Sequence, residues 1–280
     1  MSAPLLEVND LRVSFRTSRG VIEAVRGVSF TMGREKLGIV GESGSGKTLT
    51  GRSVLRLLPQ GAELKARRLS FDGTDLLAAS AAQLRDLRGR RLAMVMQDPK
   101  FSLNPVMPVG DQIAEAYLAH SKASRAEARE RALAMLEAVR IREAQRVYAL
   151  YPHEVSGGMG QRIMIAMMLA PDPDLLVADE PTSALDVTVQ MQVLAILDDL
   201  VSERGMGLIF ISHDLTLVAS FCDRVLVMYG GHVVETLDAH ELGQARHPYT
   251  KGLMACLPQL AGTEGDLPVL TRDPAWLDAP

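Results

Sequence analysis

Residues 41–48 read GESGSGKT and match the pattern GxxxxGK[ST] at every fixed position. Glycines at Gly41, Gly44 and Gly46 let the chain curl, so that the N–H groups of the loop, those of Glu42, Ser43 and Ser45 included, can point inward at an anion. A helix starting at once behind the loop would add its own unsatisfied N–H groups and the positive end of its dipole. Lys47 then stands where it can reach the β- and γ-phosphates of a nucleoside triphosphate, and the Thr48 hydroxyl where it can reach a magnesium ion. By itself this loop implies phosphate binding and nothing narrower.

A second group of chemistry-bearing residues follows an apolar run, Leu175, Leu176, Val177 and Ala178, that ends in Asp179 and Glu180. A strand tip with two successive carboxylates can turn Asp179 toward a metal ion and Glu180 toward the water that attacks a γ-phosphate. Upstream, Ser156, Gly157 and Gly158 open a predicted helix running to residue 170. A serine hydroxyl, glycine N–H groups and a helix N-terminus together make a second anion site. Gln97 after an apolar run at 92–96, Asp186 after Ser183, and His213 after an apolar run at 208–211 complete the polar set. Singly, each also reads as a cap or a loop residue.

The elements that must position these groups are legible in outline. Leu6, Val8, Leu11, Val13 and Phe15, then residues 21–30 and 37–40, read as strands. The phosphate loop follows the third, and an unbroken stretch up to Pro59 predicts a helix over 48–58. Residues 105–170 are alanine-rich and helical, with Ser124 and Glu127 spaced as a capping box before a helix reaching Val139. The α/β rhythm resumes with a strand at 175–178, a helix at 187–204, and strands at 207–211 and 224–228. In the helix, Val193, Leu197, Leu200 and Val201 share one face. From about residue 239 a proline-containing tail carries HPYT at 247–250, and its last fifteen or so residues show little pattern, which predicts loose order.

Composition excludes several classes. The chain has 280 residues, 47% hydrophobic and 23% charged, which suits an ordered domain with a sizeable core. Cys222 and Cys256 lie far apart without metal-ligand spacing, so neither a disulfide framework nor a zinc site is expected. No apolar run approaches the ~20 residues that span a bilayer, and no signal-peptide pattern opens the sequence, so the expectation is a chain inside the cell that does not cross the membrane. A net charge of −4 gives no general attraction to nucleic acid, and the basic clusters at 65–68 and 85–91 read as solvated surface.

The stretch VSGGMGQR at 155–162, standing before the acidic strand, resembles the signature motif of the ABC ATPase family, and Gln97, SALD at 183–186 and His213 fall in that family's order. The resemblance implies a P-loop NTPase, RecA-like α/β core with a small antiparallel β subdomain and an inserted α-helical subdomain. An ABC ATPase domain would occupy 1–240, with the helical subdomain near 105–170 and a C-terminal extension at 241–280. It implies that Phe15 stacks on adenine, Gln97 senses magnesium and the membrane partner, and His213 meets the γ-phosphate. The signature turn, Ser156 to Gly158, would complete the ATP pocket of a partner subunit.

Gln97, Asp98, Pro99 with SLNP at 102–105, YPHE at 151–154 and HPYT resemble the peptide and nickel import branch. That resemblance implies ATP and Mg2+ as cofactors. It implies as partners a second, non-identical ABC ATPase subunit, two transmembrane permease subunits and, indirectly, a solute-binding protein, at the cytoplasmic face of the inner membrane. Di- or oligopeptide is the favoured solute over nickel or glutathione. The alternative is a soluble ABC ATPase of DNA repair, translation or a multi-enzyme complex, which commonly carries two ATP domains, a coiled coil or zinc cysteines. No cysteine cluster follows HPYT, so no iron–sulfur cluster is expected. The motif departs from the family at Val155, Met159 and Gly160. A glycine in a first helical turn costs up to about 1 kcal/mol relative to alanine, so a readily frayed signature helix is expected.

Overall fold

The computed structural model describes residues 3–18, 20–98, 102–183, 185–256, 273 and 276. Pro99, Ala184 of SALD and most of the patternless tail lie outside the described residues. Two compact units emerge, one made of residues 1–79 and 209–280, the other of residues 80–208.

The first unit opens with β1 (Leu6–Thr17) and β2 (Gly20–Met32), paired antiparallel. Leu6, Val8, Leu11 and Val13 are all buried, although the spacing between Val8 and Leu11 breaks a strict period of two. The extra residue is absorbed as a bulge: the register shifts there and Asp10 takes a left-handed φ of 50°. Strand β3 (Lys36–Val40), helix α1 (Lys47–Val54) and the short strands β4 (Ala62–Lys65), β5 (Arg68–Phe71) and β6 (Thr74–Asp75) follow. One antiparallel sheet has the order β2-β1-β5-β6, with β4 also pairing β1. The basic cluster at 65–68 is surface, ion-paired to Glu63, Asp10 and Glu7.

Helix α1 stops four residues short of the expected end. Arg56 adopts φ of 55°, and the Leu57 N–H bonds Arg52 O at 2.9 Å while the Arg56 N–H bonds Ser53 O at 3.0 Å, a Schellman closure with an arginine in the glycine position. Two carbonyls hold Arg56 there, since its guanidinium donates to Leu76 O at 2.7 Å and Leu77 O at 3.2 Å.

The second unit contains α2 (Ala81–Leu87), β7 (Leu92–Val95), α3 (Val109–Leu118), α4 (Arg125–Ala138), α5 (Ala144–Tyr148), α6 (Gly157–Leu169), β8 (Leu175–Asp179) and α7 (Val187–Arg204). Strands β7 and β8 run parallel, Leu92 opposite Leu175 and Val95 opposite Ala178. The Ser124–Glu127 capping box is formed in both directions. Helices α3, α4 and α6 pack on one another, and Ile113, Ala132, Met135 and Met164 on them are buried. On α7 the expected face, Val193, Leu197, Leu200 and Val201, is buried.

Strand β9 (Gly207–Ser212) carries the chain back to the first unit, where α8 (Leu215–Phe221), β10 (Arg224–Tyr229), β11 (His232–Asp238) and α9 (Pro248–Ala255) complete the order. Strand β10 pairs β3 in parallel and β11 antiparallel. Helix α8 lies against β3 closely enough that a Cβ on Gly38 would be 2.1 Å from Val218 Cγ1.

In the helical part of the second unit, Tyr148 donates its hydroxyl to Asp111 at 2.8 Å, and burial together with that carboxylate pushes its pKa up to about 12. Gly110 leaves room for the ring: a Cβ there would stand 2.2 Å from Tyr148 ring carbons. Alanine would gain up to about 1 kcal/mol of helix propensity, but overpacking of this kind costs about 1–3 kcal/mol. Gly110→Ala is therefore expected to lower the thermal unfolding midpoint. A raised midpoint would mean that the ring yields at little cost.

Candidate functional site

In the first unit the phosphate loop leaves the carboxyl end of β3 and feeds directly into α1. Gly46 is the N-cap of that helix, at φ of 97°, and a Cβ on it would lie 2.7 Å from the Ala24 carbonyl oxygen. Gly41 is equally confined, since its Cβ would meet the Met228 carbonyl oxygen at 2.1 Å. Lys47 is 5% exposed, and its ammonium donates to Gly41 O at 2.7 Å and Glu42 O at 2.9 Å. The Ser45 N–H also bonds Glu42 O, at 3.2 Å, which closes the curl. Ser43 and Gly44 are exposed at its rim.

Three features of this loop fit an anion. No side chain caps α1, no acidic residue lies in its first turn, and the Ser45 hydroxyl is buried without a hydrogen-bond partner. A helix start without a side-chain cap and a partnerless buried hydroxyl are both suited to phosphate oxygens. Thr48, half-buried, is the second residue of the helix, immediately after Lys47.

Two further predicted residues lie in this unit. Phe15 is half-buried on β1, opposite Ile22 of β2 and Ala62 of β4. His213 is exposed and follows the carboxyl end of β9. Asp214, not His213, caps α8, accepting from the Leu217 N–H at 3.0 Å.

In the second unit Gln97 and Asp179 leave the same edge of a parallel strand pair. Val95 is opposite Ala178, so Gln97 lies two residues past that pair and Asp179 one. This is the carboxyl edge, where open α/β sheets place their ligands. Asp179 is 6% exposed, whereas Gln97 is exposed. Glu180 takes φ of 48°, a left-handed conformation that is strained for a residue with a side chain. Its carbonyl accepts from the Ser183 N–H at 3.3 Å and hydroxyl at 3.2 Å, so the turn after the strand holds the strained residue in place. Asp186 caps α7, accepting from the Val189 N–H at 3.0 Å.

The signature segment forms as expected. Ser156 caps α6, accepting from the Met159 N–H at 3.3 Å, and Ser156 and Gly157 are exposed. Gly158 sits against α7, where its Cβ would be 2.6 Å from Val189 Cγ1, so the turn and the helix capped by Asp186 are in contact. Sequence reasoning passed over two supporting residues. Gln112, 5% exposed, accepts from the Asn104 N–H at 2.8 Å and donates to Asn104 O at 2.9 Å and Met107 O at 2.8 Å, fixing the SLNP turn. Tyr249 of HPYT accepts from the Glu42 N–H of the phosphate loop at 3.0 Å. A polar residue eight positions from a turn carries no sequence signal of this kind, and neither does a tyrosine 207 positions from a loop.

Comparison with known proteins agrees with this geometry. The family model described as ABC transporter matches residues 25–183. The probable peptide ABC transporter ATP-binding protein y4tR of Sinorhizobium fredii is 50% identical over 268 residues, spanning 94% of this chain and 80% of that protein. The oligopeptide transport ATP-binding protein OppD of Bacillus subtilis is 45% identical over 280 residues, spanning 99% and 78%. The glutathione import ATP-binding protein GsiA of Escherichia coli O157:H7 is 49% identical, but the match covers 43% of its length against 93% of this chain. Among solved structures, a dimeric bacterial ABC transporter cassette aligns with a TM-score of 0.73 at 25% identity, over 84% of this chain and 99% of that one. The chain belongs to the ABC transporter family. Within it, the chain is a P-loop ATPase cassette that uses ATP with Mg2+, of the kind that works with membrane permease subunits.

The loop geometry makes Gly46 the most sensitive position for nucleotide binding. A side chain there is strained by about 1–2 kcal/mol at that φ before the contact with Ala24 O is counted. Gly46→Ala is expected to weaken MgATP binding at least tenfold in equilibrium titration. An unchanged affinity would show that the loop does not need its left-handed turn.

Proposed function

We propose that this chain powers the import of di- or oligopeptides by hydrolysing ATP at the cytoplasmic face of the inner membrane. The observation that carries the reading is the uncapped start of α1 behind a closed loop, with Lys47 and the Ser45 hydroxyl turned into it. The peptide assignment is supported by the names borne by y4tR and OppD, together with SLNP, YPHE and HPYT in this sequence. GsiA is named for glutathione import, which makes glutathione the competing solute.

In this reading Gly41, Ser43, Gly44, Ser45, Gly46, Lys47 and Thr48 hold the phosphates, Glu42, whose N–H goes to the Tyr249 hydroxyl instead of to an anion, shapes the loop around them, and Phe15 stacks on the adenine. Bound Mg2+ would neutralise phosphate charge, held by oxygens of Thr48, Gln97 and Asp179. That donor set suits it, since Mg2+ takes one or two carboxylates together with phosphate oxygens and water. Glu180 accepts a proton from the attacking water as its oxygen bonds the γ-phosphorus and the bond to the β-phosphate oxygen breaks. His213 steadies the γ-phosphate.

Ser156, Gly157 and Gly158, with Asp186 nearby in sequence to α7, face the nucleotide of a second, non-identical cassette, and that cassette closes over this chain's loop. Two permease subunits take up the motion through the 97–108 segment, and a solute-binding protein delivers the peptide. Among the described residues no helix is long and apolar enough to cross a membrane, which suits a subunit held by its permeases.

Glu180→Gln keeps the side chain's shape and removes its basicity. It is expected to bind MgATP as the unaltered chain does while steady-state hydrolysis falls by a factor of about 100 or more. Undiminished hydrolysis would assign the base elsewhere. Recovery of the tagged chain with hydrophobic permease subunits supports transport, and recovery only with ribosomes or DNA contradicts it.

A further inference from the structure

The HPYT segment reaches back to the phosphate loop. Tyr249 is 0% exposed, and its hydroxyl oxygen accepts the Glu42 N–H at 3.0 Å. Glu42 is therefore gripped on both sides, for its carbonyl receives the Lys47 ammonium at 2.9 Å and the Ser45 N–H at 3.2 Å.

Tyr249 is itself firmly seated. The Glu235 carboxylate on β11 accepts the Arg246 N–H at 2.6 Å and the His247 N–H at 3.2 Å, and His247 Nδ1 accepts the Tyr249 N–H at 3.2 Å. The Tyr249 ring lies 4.5 Å from that of Tyr229 on β10, and the single tryptophan, Trp276, lies 5.9 Å from Tyr249.

We propose that Tyr249 is a positioning residue for nucleotide binding, holding Glu42 so that the phosphate loop keeps its anion-binding form. The proposal rests on the reading of residues 41–48 as the ATP site. When Lys47 turns to a phosphate it leaves the carbonyls of Gly41 and Glu42. The contact from Tyr249 involves the N–H side of Glu42 and survives that exchange. Without it the loop spends only a fraction of its time in the competent form, and apparent affinity falls by that fraction. Loss of one such hydrogen bond corresponds to about a fivefold effect.

The experiment is calorimetric titration of the full chain with MgAMP-PNP, paired with steady-state hydrolysis of ATP. Tyr249→Phe, which keeps the ring packing, is expected to raise the Kd for MgAMP-PNP and the KM for ATP about fivefold while kcat at saturating ATP stays within twofold. Glu235→Gln, which leaves Tyr249 in place but loosens the start of α9, is expected to shift both in the same direction. A Kd for Tyr249→Phe equal to that of the unaltered chain overturns the proposal, as does a loss confined to kcat. Should Tyr249→Phe fail to fold, Glu235→Gln decides: a raised Kd supports positioning and an unchanged one overturns it. Failure of the unaltered chain to bind, or binding by Lys47→Ala as tight as its own, would instead sink the reading of the loop.

Discussion

A lysine ammonium that is 5% exposed must find oxygen, because an unpaired buried charge costs several kcal/mol. In this chain the oxygens are the carbonyls of Gly41 and Glu42. Both can turn toward Lys47 only because the loop folds over itself at Gly46, where no residue with a Cβ would clear Ala24 O. The same fold leaves the start of α1 without a cap and the Ser45 hydroxyl without a partner. The loop thus holds a cation whose ligands can be exchanged for phosphate, beside a Ser45 hydroxyl that a phosphate oxygen would satisfy. Strand β10 supplies the wall: the Met228 carbonyl confines Gly41, and the Thr50 hydroxyl on α1 lies 3.9 Å from Met228 Sδ.

The second unit follows a different rule, in which helix starts and strand ends carry the polar groups. Ser80, Ser124, Ser156 and Asp186 each cap a helix with a side-chain oxygen. A cap satisfies one of several free N–H groups and leaves others, so the same residue type can serve stability in one helix and anion binding in another. Ser124 is backed by a reciprocal glutamate and belongs to the first kind. Ser156 is exposed, is followed by two glycines, and has no reciprocal partner among its described contacts. The strain at Glu180 likewise persists because Ser183 returns two hydrogen bonds to its carbonyl.

Much of this was legible in residue types and spacing. Strands β1, β3, β8 and β10, helix α7 and the Ser124 box follow from local pattern, as do the phosphate loop and the strand ending in Asp179. The end of α1 was not, because it is set by Arg56 reaching Leu76 O, twenty residues away. The short strands β4 to β6 were missed since two to four residues carry no usable period, and their identity depends on pairing with β1. The roles of Gln112 and Tyr249 depend on contacts to backbone, which any sequence can offer and none advertises. The bulge at Asp10 was written into the slipped alternation of Val8 and Leu11, but only strand pairing shows how it is absorbed.

Gly160 illustrates how neighbours change the weight of a local rule. Alone, a first-turn glycine loosens a helix through backbone freedom and through exposure of peptide groups to water. Here the residue is buried, and its N–H bonds Ser156 O at 2.8 Å, so the second of those terms is largely removed. Arg162 adds a tie from two residues further on, with Nε donating to Gly158 O at 3.2 Å and Nη1 to Arg140 O at 2.9 Å. Burial lowers the pKa of that guanidinium, and the two carbonyls give its partly desolvated charge somewhere to go. The turn is thus braced from the loop after α4 and against Val189 of α7. Its order depends on those two contacts more than on the side chain missing at position 160.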